Sequence, residues 1–189
     1  MINTKSDLKE YMLQDKVQLG INRRFPKPFF DKIWRYEIVL RKYEYWLNKK
    51  NGGLPAKLMR LFYHFLYSRY SAKLGISIPP NTCGKGLSIA HASCIFINDA
   101  AEIGDNLRIH EGVTIGASGG KEAAKIGDCV FLGTGCKIIG DVKIASHCAV
   151  GANAVVVKDV LEEGITVAGV PAKKISDNNS DRFVFWQVE

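Results

Sequence analysis

Between Ile97 and Val156 an aliphatic residue returns every six positions: Ile97, Ile103, Ile109 and Ile115, then, after one break, Ile126, Leu132, Ile138, Ile144, Val150 and Val156. Glycine follows in Ile103-Gly104, Ile115-Gly116, Ile126-Gly127, Leu132-Gly133 and Val150-Gly151. A period of six suits neither an amphipathic helix nor a simple alternating strand. It suits a coil in which each face of a triangular prism uses six residues. Three hexapeptides close a turn, residue i stacks on i+18, and coils lie about 4.8 Å apart at the usual interstrand spacing. The expected core is a ladder of Ile, Leu and Val, with a small residue after each rung where the chain turns a corner and needs permissive backbone geometry.

The chain has 189 residues, enough for one full core and an accessory element. It shows no apolar run near the roughly 20 residues that span a bilayer and no signal peptide, so a soluble cytoplasmic protein is expected. The cysteines Cys83, Cys94, Cys129, Cys136 and Cys148 form no CxxC pair. They read as reduced core or corner residues, with no disulfide framework and no metal site. The net charge of +7 is uneven: residues 1–75 hold 16 Lys and Arg against 6 Asp and Glu, the remainder 10 against 13. A basic N-terminal third can attract an anionic substrate or lipid, or can be a solvated helix surface; no nucleic-acid motif accompanies it.

Three domains are expected: an α-helical region over 1–75, the β-helix over 76–175, and a flexible tail over 176–189. Residues 5–19 read as a helix with Asp7 and Glu10 as a capping pair and Leu8, Tyr11, Met12 and Leu19 on one side. After Pro26-Lys27-Pro28, Asp31 is a cap for a second helix to Asn48, whose apolar face holds Tyr36, Val39, Leu40, Tyr43, Trp46 and Leu47. Asn51-Gly52-Gly53 stops it, and a third helix runs from near Pro55 to Gly75. Its stripe of Leu58, Leu61, Phe62, Phe65 and Leu66 is read as packing on the β-helix, the alternative being contact with a membrane surface. His64 reads as a packing residue among aromatics. Two interruptions break the repeat: about two extra residues near His91, and about five between Ile115 and Ile126, so Ala117 to Lys125 is expected to leave the prism as a loop. Phe183, Phe185 and Trp186 in the tail are candidates for docking on a partner or subunit.

The hexapeptides, the protruding loop and the closing Ala168-Gly169-Val170-Pro171-Ala172-Lys173-Lys174-Ile175 resemble the left-handed parallel β-helix acyltransferases. The stretch Ile89-Ala90-His91-Ala92-Ser93 after a helical region resembles the serine acetyltransferase branch, with its relatives in capsule and exopolysaccharide synthesis. The resemblance covers about residues 75–175. It implies a mainly β fold, a left-handed parallel β-helix of about five coils behind an α-helical N-terminal domain. It implies acetyl transfer from acetyl-coenzyme A to a hydroxyl, in a homotrimer or a dimer of trimers. His91 matches the family's catalytic histidine; a histidine, with an ordinary pKa near about 6.5, is suited to take the proton of an attacking alcohol.

The chain departs from the serine enzymes in two ways. The aligned position of their orienting carboxylate is Ser77, so the dyad is either absent or completed from elsewhere; Glu111, one coil after His91, is the candidate to orient His91 or to bind the acceptor, with His110 as a second candidate, and both read equally as solvated corner residues. Ala90 stands where the serine enzymes have an Asp, and Glu122, Ala123 and Ala124 where their loop has an Arg-His pair. The acceptor is therefore expected to be a sugar hydroxyl in polysaccharide synthesis, with L-serine and a non-catalytic β-helix as the alternatives. The resemblance implies coenzyme contacts at Gly116, Ala117, Ser118, Thr134 and Ala152, and phosphate contacts at Lys173 and Lys174. The basic charge of the N-terminal helices, read from the residues themselves, leaves peripheral membrane contact as a further expectation.

Overall fold

The computed structural model describes residues 1–49, 52–120 and 122–185. Asn51, Lys121 and Trp186, to which the sequence assigns a helix stop, a loop position and a docking role, lie outside them. Three helices open the chain: α1 (Lys5–Gln18), α2 (Lys32–Asn48) and α3 (Gly53–Leu74). They lead into short strands that form three faces. One face stacks β1 (Ile76–Ser77), β3 (Ile95–Ile97), β6 (Thr114–Gly116), β9 (Lys137–Ile139) and β12 (Val155–Val156). The second stacks β2 (Ser88–Ile89), β5 (Arg108–Ile109), β8 (Phe131–Leu132), β11 (Ala149–Val150), β13 (Thr166–Ala168) and β14 (Lys173–Ser176). The third stacks β4 (Glu102–Ile103), β7 (Lys125–Ile126) and β10 (Lys143–Ile144). All pairings are parallel except that of β13 with β14.

The rungs of the sequence repeat are the rungs of the core. Ile97, Ile115, Ile138 and Val156 stack on one face; Ile89, Ile109, Leu132, Val150 and Val167 on the second; Ile103, Ile126 and Ile144 on the third, all buried. The offset of 18 holds for Ile97 to Ile115 and for Leu132 to Val150. It widens to 20 between Ile89 and Ile109 and to 23 between Ile103 and Ile126, which locates the two insertions. The second insertion is tighter than expected at its end: Ala123 and Ala124 are buried in the core and Lys125 already belongs to β7.

The glycines after the rungs have a different reason from the one expected. Gly104, Gly127 and Gly133 do not adopt left-handed backbone; a Cβ on them would meet the next coil at 2.2 Å (Asp128 Oδ1), 2.6 Å (Ser146 Oγ) and 2.8 Å (Val150 O). They are small because adjacent coils pass too closely for a side chain. The left-handed corners fall two residues later, at Asn106 (φ 58°), Cys129 (φ 54°), Gly135 (φ 72°) and Asn153 (φ 56°). The cysteines Cys83, Cys129, Cys136 and Cys148 are buried thiols, and Cys94 is exposed.

Each helix differs from its sequence reading in an instructive way. Thr4 caps α1: its hydroxyl accepts from Asp7 N (3.1 Å), and the Asp7 carboxylate accepts from Thr4 N (2.9 Å). The Thr4 hydroxyl, donating to the Asp7 carboxylate (2.7 Å), and the N–H groups of Asn3 and Thr4 hold the Asp7 pKa down to about 2, while Glu10 pairs with Lys85 instead of capping. Asp31 makes no cap bond to α2 and receives Arg23 and Lys27 N. The face of α2 turned to the solenoid is apolar at Tyr36, Val39 and Leu40 but charged at Glu37, Arg41 and Glu44, all buried. Arg41 donates to Asp15 (2.8 Å), Glu44 (3.1 Å) and the carbonyls of Cys83 and Gly84. Asp15 also accepts from Leu87 N and Glu44 from Asn81 N, so the network ties α1 and α2 to the first coil.

α3 ends at Gly75 in left-handed backbone (φ 63°). Its Tyr67, Tyr70 and Leu74 pack on the core, whereas Leu58, Leu61, Phe62 and Phe65 are exposed, against the expectation that this stripe packs on the β-helix. His64 is exposed as well, edge-on to Tyr43. Residues 176–185, expected as a free tail, are docked. The helical turn α4 (Asp181–Val184) buries Val184, Ser180 Oγ donates to Cys129 O, and His147 Nδ1 lies 2.8 Å from Asp181.

Candidate functional site

His91 sits on the corner after β2. Ala90 N donates to Ile109 O (2.9 Å) and Gly112 N to Ser93 O (3.0 Å), which clamps the corner to the coil that follows. The two inserted residues are absorbed by left-handed backbone at Ser93 (φ 128°) and Cys94 (φ 53°), conformations that cost a non-glycine residue energy. The result leaves the His91 ring exposed rather than drawn into the ladder.

One coil on, the next corner brings up two partners. The rings of His91 and His110 meet edge to face with centroids 5.8 Å apart, and His110 Nδ1 lies 3.8 Å from Glu111 Oε2. One nitrogen of each histidine and one Glu111 oxygen fall within 4.8 Å of one another. Glu111 Oε1 accepts from Thr134 Oγ1 (3.1 Å), one coil further, while Oε2 is shielded from solvent without a hydrogen-bond partner. The Glu111 backbone N–H and the Thr134 hydroxyl hold its carboxyl below the usual range, so it is a carboxylate at neutral pH. Partial burial, helped by the nearby Arg108 charge, lowers the His110 pKa, so His110 is a neutral imidazole at pH 7. Ser77 pairs with Phe96 on a different face from β2, so it is not the residue stacked over His91.

Several residues of this neighbourhood were not singled out from the sequence. Phe131 lies against His110 (5.2 Å between centroids) and Phe183 stacks on Phe131 (4.4 Å). Phe183 thus stacks on its own solenoid. Arg108 donates to Ser88 Oγ (2.8 Å) on the coil before. Both Arg108 and Phe131 immediately precede a rung and are register partners, a relation legible only after the five inserted residues are subtracted. On the other flank of His91 a cleft of about 320 Å³ opens between the helices and the coil, lined among others by Asp31, Lys32, Trp34, Ala90 and Ala92.

The expected coenzyme positions divide between two corners. Thr134 and Ala152 continue the Glu111 corner, where Gly135 N donates to Glu111 O and Asn153 N to Thr134 O. Gly116 ends β6 and Ala117 and Ser118 follow it, beside Gly140, whose N–H donates to Gly116 O (2.8 Å). Lys173 and Lys174 are in β14, and Lys174 is paired with Glu162 and Asp177.

Residues 123–158 match the family model described as bacterial transferase hexapeptide (six repeats). The part of the solenoid from β7 to β12 is thus similar in its repeat to the proteins of that family. Its coil has the left-handed sense that the resemblance implies. The chain is 34% identical over 158 residues to a serine acetyltransferase of Mycobacterium tuberculosis, covering 82% of this chain and 63% of that protein. It is 39% identical over 136 residues to a serine acetyltransferase of Staphylococcus epidermidis, covering 64% and 63%. A crystal structure of serine acetyltransferase in complex with coenzyme A from Brucella abortus superposes with a TM-score of 0.71 at 28% identity, covering 92% of this chain and 68% of that one. The chain spans about 63% of the length of the curated relatives it matches.

These relatives overturn the saccharide acceptor expected from the sequence, since they carry the name of the serine enzyme that stood as its alternative. The inference failed because it treated two missing side chains as a missing site. A charge reaches His91 by another route, Glu111 from the following coil, while Arg108 stands near His110 and Asp31 and Lys32 line the cleft beside Ala90 and Ala92.

Proposed function

We propose that this chain is an acetyl-coenzyme A dependent O-acetyltransferase acting on the hydroxyl of L-serine, with His91 as general base. The observation that carries the reading is an exposed His91 beside a carboxylate whose second oxygen has no partner. An alcohol is a poor nucleophile at pH 7, and general-base assistance contributes about a hundredfold to ten-thousandfold. A His91 ring nitrogen takes the hydroxyl proton as the oxygen attacks the thioester carbonyl carbon. The carbon–sulfur bond then breaks, the proton passes from the imidazolium to the leaving thiolate, and the ester and free coenzyme A result.

Glu111 orients His91 and stabilises the imidazolium, closing the remaining distance directly or through one water. Neutral His110 lies beside both without adding a positive charge next to the His91 imidazolium. For the coenzyme, the chemistry needed is backbone partners for the pantetheine amides and cations for the phosphates. Gly116, Ala117 and Ser118 offer the first at one corner, Thr134 and Ala152 at the neighbouring one, and Lys173, exposed on β14, the second. Two corners of one prism face different ways, so a groove shared between adjacent solenoids of a homotrimer is the arrangement that uses both. Support for the coenzyme comes from the Brucella abortus serine acetyltransferase, solved in complex with coenzyme A.

The test is coenzyme A release from acetyl-coenzyme A with L-serine, for the wild type, His91→Ala and Glu111→Gln. The wild type turns over; His91→Ala loses at least a hundredfold in kcat with coenzyme binding retained; Glu111→Gln loses a smaller factor. Absence of turnover with L-serine overturns the acceptor, and full activity in His91→Ala overturns the base.

A further inference from the structure

The outward face of α3 is not covered by any described part of this chain. Leu54, Leu58, Leu61, Phe62 and Phe65 recur at helical spacing and are 49–68% exposed, while Ala56, Tyr67, Tyr70 and Leu74 point the opposite way into the fold. The 22-residue helix is about 33 Å long and carries this stripe over its first three turns. Beside the stripe are Lys57, Arg60, Arg69 and Lys73, and the sequence has no Asp or Glu anywhere between Glu44 and Asp99. The Arg69 guanidinium lies 5.7 Å over the Phe65 ring, so cation and apolar surface are presented side by side. Ahead of α2 the same chemistry recurs: Phe25, Phe29 and Phe30 are exposed next to Arg24 and Lys27.

We propose that the outward face of α3 docks on an anionic membrane surface, lying in the plane of the headgroups. Large apolar side chains beside an unbroken run of cations fit an interface where acyl chains meet phosphate. A second copy of this chain fits less well, because two such faces would bring Lys57, Arg60, Arg69 and Lys73 against their own equivalents with no carboxylate on either side. The helix does not cross the bilayer: among the described residues none is long and apolar enough. This docking is independent of the acetyl transfer proposed above.

The experiment is co-sedimentation of the full chain with vesicles of phosphatidylcholine alone and of phosphatidylcholine mixed with phosphatidylglycerol. Two double variants accompany the wild type: Leu61→Ser with Phe65→Ser, and Lys57→Glu with Arg69→Glu. All four side chains are exposed, so far-ultraviolet circular dichroism should be unchanged. The wild type partitions onto the mixed vesicles at least tenfold more strongly than onto phosphatidylcholine, salt weakens it, and each double variant loses tenfold or more. The proposal is overturned if the wild type ignores the anionic vesicles or if the variants bind as well as it does. It is also overturned if sedimentation without lipid shows a self-associated species that Leu61→Ser with Phe65→Ser dissolves, since a second copy is then the occupant.

Discussion

Replacing Arg41 by Met should remove the central tie between the helices and the solenoid. Arg41 is fully buried and gives its guanidinium to Asp15 (2.8 and 3.2 Å), Glu44 (3.1 Å), the Cys83 carbonyl (3.0 Å) and the Gly84 carbonyl. Methionine fills most of the volume, so little of the loss is cavity. The cost comes from Asp15 and Glu44, which stay buried with backbone donors at Leu87 and Asn81 but without a counter-charge. Breaking a buried pair from one side costs about 3–5 kcal/mol, a large part of the 5–15 kcal/mol typical of a folded domain. Urea unfolding at fixed protein concentration should show a lower midpoint with an unchanged slope. The deficit should also depend on pH. Burial already raises the Asp15 carboxyl, and Arg41 opposes that rise. Without Arg41 the folded form holds its proton further above the ordinary value, so the variant's stability falls as pH rises beyond about 4 and its deficit is smallest in acid. A loss under about 1 kcal/mol at pH 7, or a deficit that grows on acidification, would refute the view that this network depends on charge.

Two further outcomes test the surroundings of the site. Glu37 is buried, accepts from Ile89 N two residues before His91, and is pushed well above the carboxylate range by burial and by neighbouring Asp15. A raised folded pKa means that the wild type loses stability as pH rises from about 4 towards that value, so Glu37→Gln should gain on the wild type over this window in pH-resolved thermal unfolding; a constant difference would show Glu37 ionised. Phe131→Ala should uncover His110 and let its pKa rise towards the ordinary histidine value, followed by proton NMR of the ring, and the stability lost on acidification below about 6.5 should shrink with it; an unmoved titration would mean that Phe131 does not contribute to the burial.

The repeat made the core legible at single-residue resolution, because a prism of stacked coils buries the same position of every hexapeptide and each coil touches only its neighbours. Counting along that repeat also located both insertions, and with them His91 and the Ala117 to Lys125 segment. It could not say how an insertion is absorbed. Ser93 and Cys94 take left-handed backbone while Ala123 and Ala124 return to the core, a choice made by the space each coil leaves. The glycine reading went astray for a related reason. A six-residue pattern shows that a side chain is excluded, and only the 2.2–2.8 Å approaches of adjacent coils show that crowding, not φ, excludes it.

The N-terminal helices were legible as helices and not as surfaces. Apolar spacing placed α2 and α3 within a few residues, yet the inward face of α2 is half charged and the stripe of α3 faces outward. Periodicity identifies a face but not its direction, and a buried Arg41 is indistinguishable from a solvated one until Asp15 arrives from another helix.

By itself, then, the sequence determined the coil, its rungs, its two interruptions and the histidine at the first of them, because those follow from a local period propagated along the chain. Only the tertiary structure decided what stands around that histidine. Glu111 with its unpartnered oxygen, Phe131 under His110, Arg108 on the same face and the cleft walled by α2 come from positions 17 to 60 residues away in sequence. Their convergence depends on a 20-residue turn followed by a 23-residue one, and on which way each helix faces when it packs. Such long-range placement is set by packing, to which a periodicity is blind.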